Sequence, residues 1–175
     1  MIIEEKSMNN SKTKKLVMAS LLAALCCVAT MIIKIPSPLK GYLNLGDCVV
    51  LLSGWLLSPA YGFAAAGIGS ALADVFSGYV TYAPATFIIK GLRALIAYFG
   101  FKILQNKIGN LPSRIISGIV AEAIMVLGYF VFEGFLYGFI PSIVNIPANA
   151  VQGVAGIIIG TILIKVFEKS KIMME

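Results

Sequence analysis

No histidine occurs among the 175 residues, and charged residues make up only 13% of them. The first absence removes every histidine-based triad, metal site and proton relay. The second, with 59% hydrophobic residues and a mean hydropathy of +0.92, excludes an ordinary soluble domain. Cysteine is scarce as well. Cys26 and Cys27 are adjacent within an apolar run, Cys48 stands at the edge of another, and neither a disulfide framework nor a CxxC metal pair is written. No GxxxxGK[ST], HExxH or GxSxG occurs, so ATP is not bound through a P-loop and neither zincin nor serine-hydrolase chemistry is encoded. No metal or cofactor is expected.

What the chain does have is apolar runs. Stretches near 20 residues are long enough to cross a bilayer, and the sequence predicts six: 16–33, 43–57, 60–78, 84–104, 112–135 and 145–167. Ser58 and Pro59 open the third, Pro84 the fourth, Pro112 the fifth, and Asn145 with Pro147 the sixth, because proline suits the first turn of a helix. The expectation is an all-α integral membrane protein with a single membrane domain. It comprises an N-terminal segment 1–15, a six-helix bundle 16–167 and a tail 168–175. The first run is read as retained, since the polar segment before it is longer than a signal peptide's basic region and no small-residue cleavage site follows.

The net charge of +6 would suggest nucleic acid if the basic residues formed a patch on a polar domain. They fall instead in the gaps between runs. Lys6, Lys12, Lys14, Lys15, Lys102, Lys107, Arg114, Lys165, Lys169 and Lys171 share one side, and only Lys34 and Lys40 the other. By the positive-inside rule both termini are expected to be cytoplasmic.

Lys90 and Arg93 remain, inside the fourth run, and ionisable groups at membrane depth mark a binding site, a pathway or an internal pair. They are expected roughly 10 and 15 Å below the outer surface, at about 1.5 Å per residue. Asn145, Asn149 and Gln152 share a face in the outer half of the sixth run, and Glu122, Tyr129 and Glu133 share one on the fifth. Asn44 and Asp47 open the second run, Asp74 closes the third, and Tyr79, Thr81 and Tyr82 lie in the next loop. The polar groups converge on an outward cavity beneath the loop from Lys34 to Gly46. A small polar ligand needs such a site, and nothing comparable crosses the inner half. Two readings stand side by side: Asp47 or Asp74 neutralises Lys90 or Arg93, or the lysine meets ligand. Asn149 and Gln152 are either ligand contacts or interhelical hydrogen bonds. Ala19 and Ala23 form an AxxxA on the first run, a face suited to close helix packing inside the chain or against another protein.

The Lys-rich start, the AxxxA of Ala19 and Ala23, the stretch GYLNLGDCVVLLSGWLLSPAYGFAAAGIGSALADVFSGYVTYAPATFIIKG (41–91) and NIPANAVQGVAGIIIG (145–160) together resemble the substrate-binding S components of energy-coupling-factor (ECF) vitamin transporters. The resemblance spans Lys14 to Phe167, and the middle stretch is its specific part. It implies a six-helix subunit of a prokaryotic plasma membrane that captures a vitamin from outside and joins a transmembrane coupling (T) subunit and two cytoplasmic ATPases. Toppling in the membrane would then release the ligand inside. It also implies that Ala19 and Ala23 contact the coupling subunit, and that helices four to six and the first outer loop enclose the ligand. LNLGD and YAPATFIIKG look most like members handling pyridoxine-like or hydroxymethylpyrimidine-like compounds, with riboflavin or another vitamin as the alternative. The substrate-binding residues on this reading are Asn44, Tyr82, Lys90, Tyr129, Glu133, Asn145, Asn149 and Gln152. Outside the family, the competing classes are a small membrane enzyme using Glu122 and Arg93, and a homo-oligomeric scaffold or channel.

Overall fold

The structure, a computed structural model, describes residues 2–37 and 41–169, with side chains described from residue 12 onward apart from Glu168. Lys40, Lys171 and the tail beyond residue 169 lie outside the described residues, as does the side chain of Lys6. The order is α1 (Ile2–Ile32), β1 (Lys34–Pro36), β2 (Tyr42–Asn44), α2 (Gly46–Leu56), α3 (Pro59–Phe76), α4 (Ala83–Ile108), α5 (Asn110–Tyr137), α6 (Phe139–Ser142), a 3-10 turn (Ile143–Asn145) and α7 (Ile146–Lys169). The six expected helices are α1 to α5 and α7. Pro59 and Pro84 lie in the first turns of α3 and α4 as expected. Ser58 takes the extended N-cap conformation before α3 without a side-chain cap bond. At α5 the start is set by Gly109 rather than Pro112, because its φ of +83° turns the chain between α4 and α5 in a way that favours glycine.

Two features depart from the six-helix reading. The loop after α1 contains a short antiparallel hairpin, in which Lys34 pairs with Asn44, Ile35 with Leu43 and Pro36 with Tyr42. The apolar run 43–57 is therefore not one helix. Its first residues belong to β2, and α2 keeps 11 residues, about 17 Å at 1.5 Å per residue and too short to cross a hydrocarbon core of about 30 Å. The second departure is α6, a single turn between Gly138 and the 3-10 turn.

Helix α2 is short because it is the centre of the bundle. Every residue from Gly46 to Trp55 is buried, and the helix packs on α1, α3, α4 and α7. On one side Val49 and Val50 join Ala19, Leu22, Cys26, Ala65, Ala66 and Ala94. On the other, Leu51, Leu52 and Trp55 join Ala97, Phe101, Ala121 and Ile164. Small residues let the backbones close in: a side chain at Gly54 would run into the Ala94 carbonyl of α4, and one at Gly69 into the Ala23 carbonyl of α1.

The outer surface is apolar. Leu21, Ile32, Phe76, Ile103, Phe135, Val151 and Ile162 are among its exposed side chains, far beyond the isolated apolar patches a soluble monomer shows. Three segments, Lys12–Ile32, Asn110–Tyr137 and Phe139–Phe167, are long and apolar enough to span a bilayer by length and composition. A membrane-embedded bundle follows from both observations.

Candidate functional site

The charges inside the bundle fall into two layers. The deeper one is an ion-pair cluster. Asp47, in the first turn of α2, accepts from Lys90 and, at 2.6 Å, from Arg93 Nη1; Arg93 Nη2 reaches Glu122 Oε1 on α5. Gln152 of α7 donates from Nε2 to Asp47 Oδ2 at 2.7 Å, while its Oε1 accepts the Asn44 backbone N–H of β2 at 2.8 Å. Met125 Sδ lies 3.3 Å from Lys90 Nζ and 3.2 Å from Arg93 Nη1. Helices α4 and α7 thus meet on the Asp47 carboxylate of α2, and α5 and the hairpin join the cluster through Arg93 and Gln152. Arg93 and Asp47 are fully buried and Lys90 is 3% exposed, so each charge depends on its partners, because an isolated buried ion is strongly unfavourable. Two positive and two negative charges balance.

Lys90 and Arg93 both pair with Asp47, and among the described residues Asp74 forms an ion pair with neither. Glu122 and Arg93, the groups the enzyme alternative requires, are paired with each other.

Above the cluster lies a cavity of about 40 Å³, lined by Ser37, Gly41, Tyr42, Asn44, Asp74, Tyr79, Tyr82, Thr86, Tyr129, Glu133 and Asn149. The hairpin forms its roof. The side chain of Tyr42 on β2 donates to Asp74 Oδ1 at 2.7 Å and packs on Tyr79 with ring centroids 4.7 Å apart. The wall continues from Tyr79 to Tyr82 at 6.4 Å and from Tyr82 to Phe132 at 5.3 Å. On the far side Thr86 and Tyr129 share a hydrogen bond at 3.1 Å, and Lys90 Nζ lies 5.5 Å from the Tyr129 ring. Burial and the nearby Asp74 charge push the Tyr42 hydroxyl above its ordinary pKa. Burial, Tyr137 and the Glu133 carboxylate do the same for Tyr82. Both hydroxyls therefore stay protonated and donate.

Five of the eight residues singled out by sequence line this cavity: Asn44, Tyr82, Tyr129, Glu133 and Asn149. The other three lie behind the wall. Lys90 and Gln152 belong to the ion-pair cluster, and Asn145 supports Glu133, donating from Nδ2 to Oε1 at 2.9 Å. Sequence reasoning left Thr86 and Tyr42 out of the site and brought Asp74 to it only as a counter-charge. Thr86 carried a signal, since Tyr82, Thr86 and Lys90 recur every four residues along one face of α4. Tyr42 carried none, because its place follows from the hairpin register. Ala19 is buried against the α2–α3 core, and the Ala23 carbonyl faces Gly69. Their neighbours Ser20 and Ala24 are exposed small residues of α1.

A family model described as the S component of an ECF-type riboflavin transporter matches residues 10–169. An uncharacterized protein of Pyrococcus woesei is 41% identical over 134 residues, which is 76% of this chain and 87% of that protein. The thiamine precursor transporter HmpT of Lactococcus lactis subsp. cremoris (strain MG1363) is 24% identical over 170 residues, 96% of each chain. Among solved structures, the S component of a bacterial ECF transporter superposes with a TM-score of 0.74 at 27% identity, covering 90% of this chain and 97% of that one. The S-component for biotin from an ECF-type ABC transporter superposes at 0.61 with 20% identity over 90% and 94%, a likeness of fold alone.

Proposed function

Because the chain belongs to the ECF-type riboflavin transporter S component family, and so is a membrane-embedded capture subunit for a vitamin or vitamin precursor, we propose that its ligand is a small hydroxylated aromatic ring of the pyridoxine or hydroxymethylpyrimidine type, held in the tyrosine-walled cavity under the β1–β2 hairpin. The wall of Tyr42, Tyr79, Tyr82 and Tyr129 is the observation that carries this reading. Aromatic rings pack well against a flat ring, and Asn44, Thr86, Glu133 and Asn149 add hydrogen-bonding groups around it. The likeness to a thiamine precursor transporter along nearly the whole chain supports the same ligand class. Riboflavin, which the family description names, is the second reading. Its three-ring system would demand a wider opening of the cavity than a single ring does.

Entry on either reading is from the outer side, through outward movement of the hairpin, with both termini in the cytoplasm as the basic residues suggest. ATP hydrolysis belongs to two partner ATPases reached through a T subunit. The test is to purify the protein in mild detergent, determine the mass of any small molecule released on denaturation, and titrate a vitamin panel. Saturable binding of a pyridoxine- or pyrimidine-type compound is expected. Preferential binding of riboflavin moves the assignment to the second reading, and no saturable ligand in the panel removes it altogether.

Docking to the T subunit is assigned to the exposed face of α1 that carries Ser20 and Ala24. Leucine at both positions is expected to abolish uptake in cells supplied with the coupling module while leaving ligand affinity within about twofold, as for distant, independent sites. Unimpaired uptake by that variant would move the contact elsewhere.

A further inference from the structure

Two buried carboxylates border the cavity, and each has only one oxygen engaged. Asp74 is 5% exposed and Glu133 2% exposed. Asp74 Oδ1 accepts from Tyr42; Glu133 Oε1 accepts from Asn145 and, at 3.3 Å, from Tyr82. Asp74 Oδ2 and Glu133 Oε2 have no hydrogen-bond partner. Neither carboxylate forms an ion pair among the described residues, where Lys90 and Arg93 are taken by Asp47 and Glu122. Lys34, at the rim, donates to Ser77 at 2.6 Å. Among the described residues, the cavity lining holds two acids and no base.

A buried acceptor without a donor costs free energy, more so when charged. Two such oxygens, on carboxylates that line one cavity, are satisfied together by a ligand that brings donors or positive charge. Tyrosine rings around them favour the same occupant, because a cation is attracted to an aromatic face. We propose that this pocket selects a ligand by its charge, accepting a flat ring that bears an amine or protonated ring nitrogen and rejecting forms that bear a carboxylate or phosphate, with Asp74 Oδ2 and Glu133 Oε2 as the selecting atoms. The proposal rests on the capture reading above and narrows it: an anionic ligand would place like charges together in a desolvated space, which strongly disfavours binding.

The test holds the ring constant and varies the charge. Pyridoxamine, pyridoxine and 4-pyridoxic acid share one ring and differ by an aminomethyl, hydroxymethyl or carboxylate group. Calorimetric titration of the detergent-purified protein is expected to rank them in that order, with the acid at least about 100-fold weaker than the amine. Glu133→Gln keeps the shape of the side chain and an oxygen for Asn145, and is expected to shrink the discrimination to below about tenfold by removing one charge. Asp74→Asn is expected to act in the same direction, and thermal melts of both variants verify folding. Equal binding of acid and amine overturns charge selection while leaving vitamin capture intact. So does a carboxylate- or phosphate-bearing vitamin that saturates the protein when none of the three binds and loses affinity in Tyr82→Ala. No saturable vitamin of any charge overturns the capture reading itself, and charge selection with it.

Discussion

Asp47→Ala is expected to be the most damaging single substitution in the bundle. It leaves Lys90 without its partner and Arg93 with only Glu122, and it frees Gln152 Nε2. Removing one member of a buried ion pair costs about 3–5 kcal/mol, so the melting temperature in detergent is expected to fall by roughly 10 °C or more. The cause is uncompensated charge rather than lost volume, and a matched deletion separates the two. Arg93→Met combined with Glu122→Met retains Asp47 against Lys90, keeps the cluster neutral, and is expected to be more stable than Arg93→Met alone. A double variant no more stable than the single would sink the charge-balance account.

The second large effect concerns affinity. Tyr82 is 7% exposed, packs edge-on to Phe132 and Tyr79, and presents its hydroxyl to Glu133. Tyr82→Ala removes a wall of the cavity and is expected to weaken ligand binding by about 2 kcal/mol or more, roughly 30-fold. Tyr82→Phe keeps the ring and loses one hydrogen bond, an effect of about tenfold at most. Ligand titrations of the two variants check the difference. Equal losses would mean that the hydroxyl, not the ring, is what the ligand meets.

How far the sequence reaches differs between fold and site. The helices were legible because each apolar run is interrupted by proline, glycine or lysine, and Pro59 and Pro84 marked true starts. The run 43–57 misled because hydropathy does not distinguish a buried strand from a helix. Leu43 is as apolar in β2 as it would be in α2, and only the pairing of Lys34 with Asn44 separates them. The outer cluster of polar groups was visible from depth along each helix, yet depth left Asp47 and Asp74 as equal partners for Lys90. What separated them was the position of α2 at the centre of the bundle, where its first turn faces α4. Gln152 and Asn149 show the same limit: three residues apart on α7, they fall on opposite sides of the cavity floor, one into the ion-pair cluster and one into the pocket lining. Ala19 and Ala23 were read as a packing face, open to either an internal or an external partner. The internal one is α3, through Gly69.

The neutrality of the cluster of Asp47, Glu122, Lys90 and Arg93 bears on the membrane potential. An elementary charge carried across the full field does work of about 2.3 kcal/mol per 100 mV. Two positive and two negative charges moving together do none. Displacement of the bundle in an energised membrane therefore carries no net charge at its core, and the pocket carboxylates and the charge of whatever they hold add to any voltage dependence of uptake.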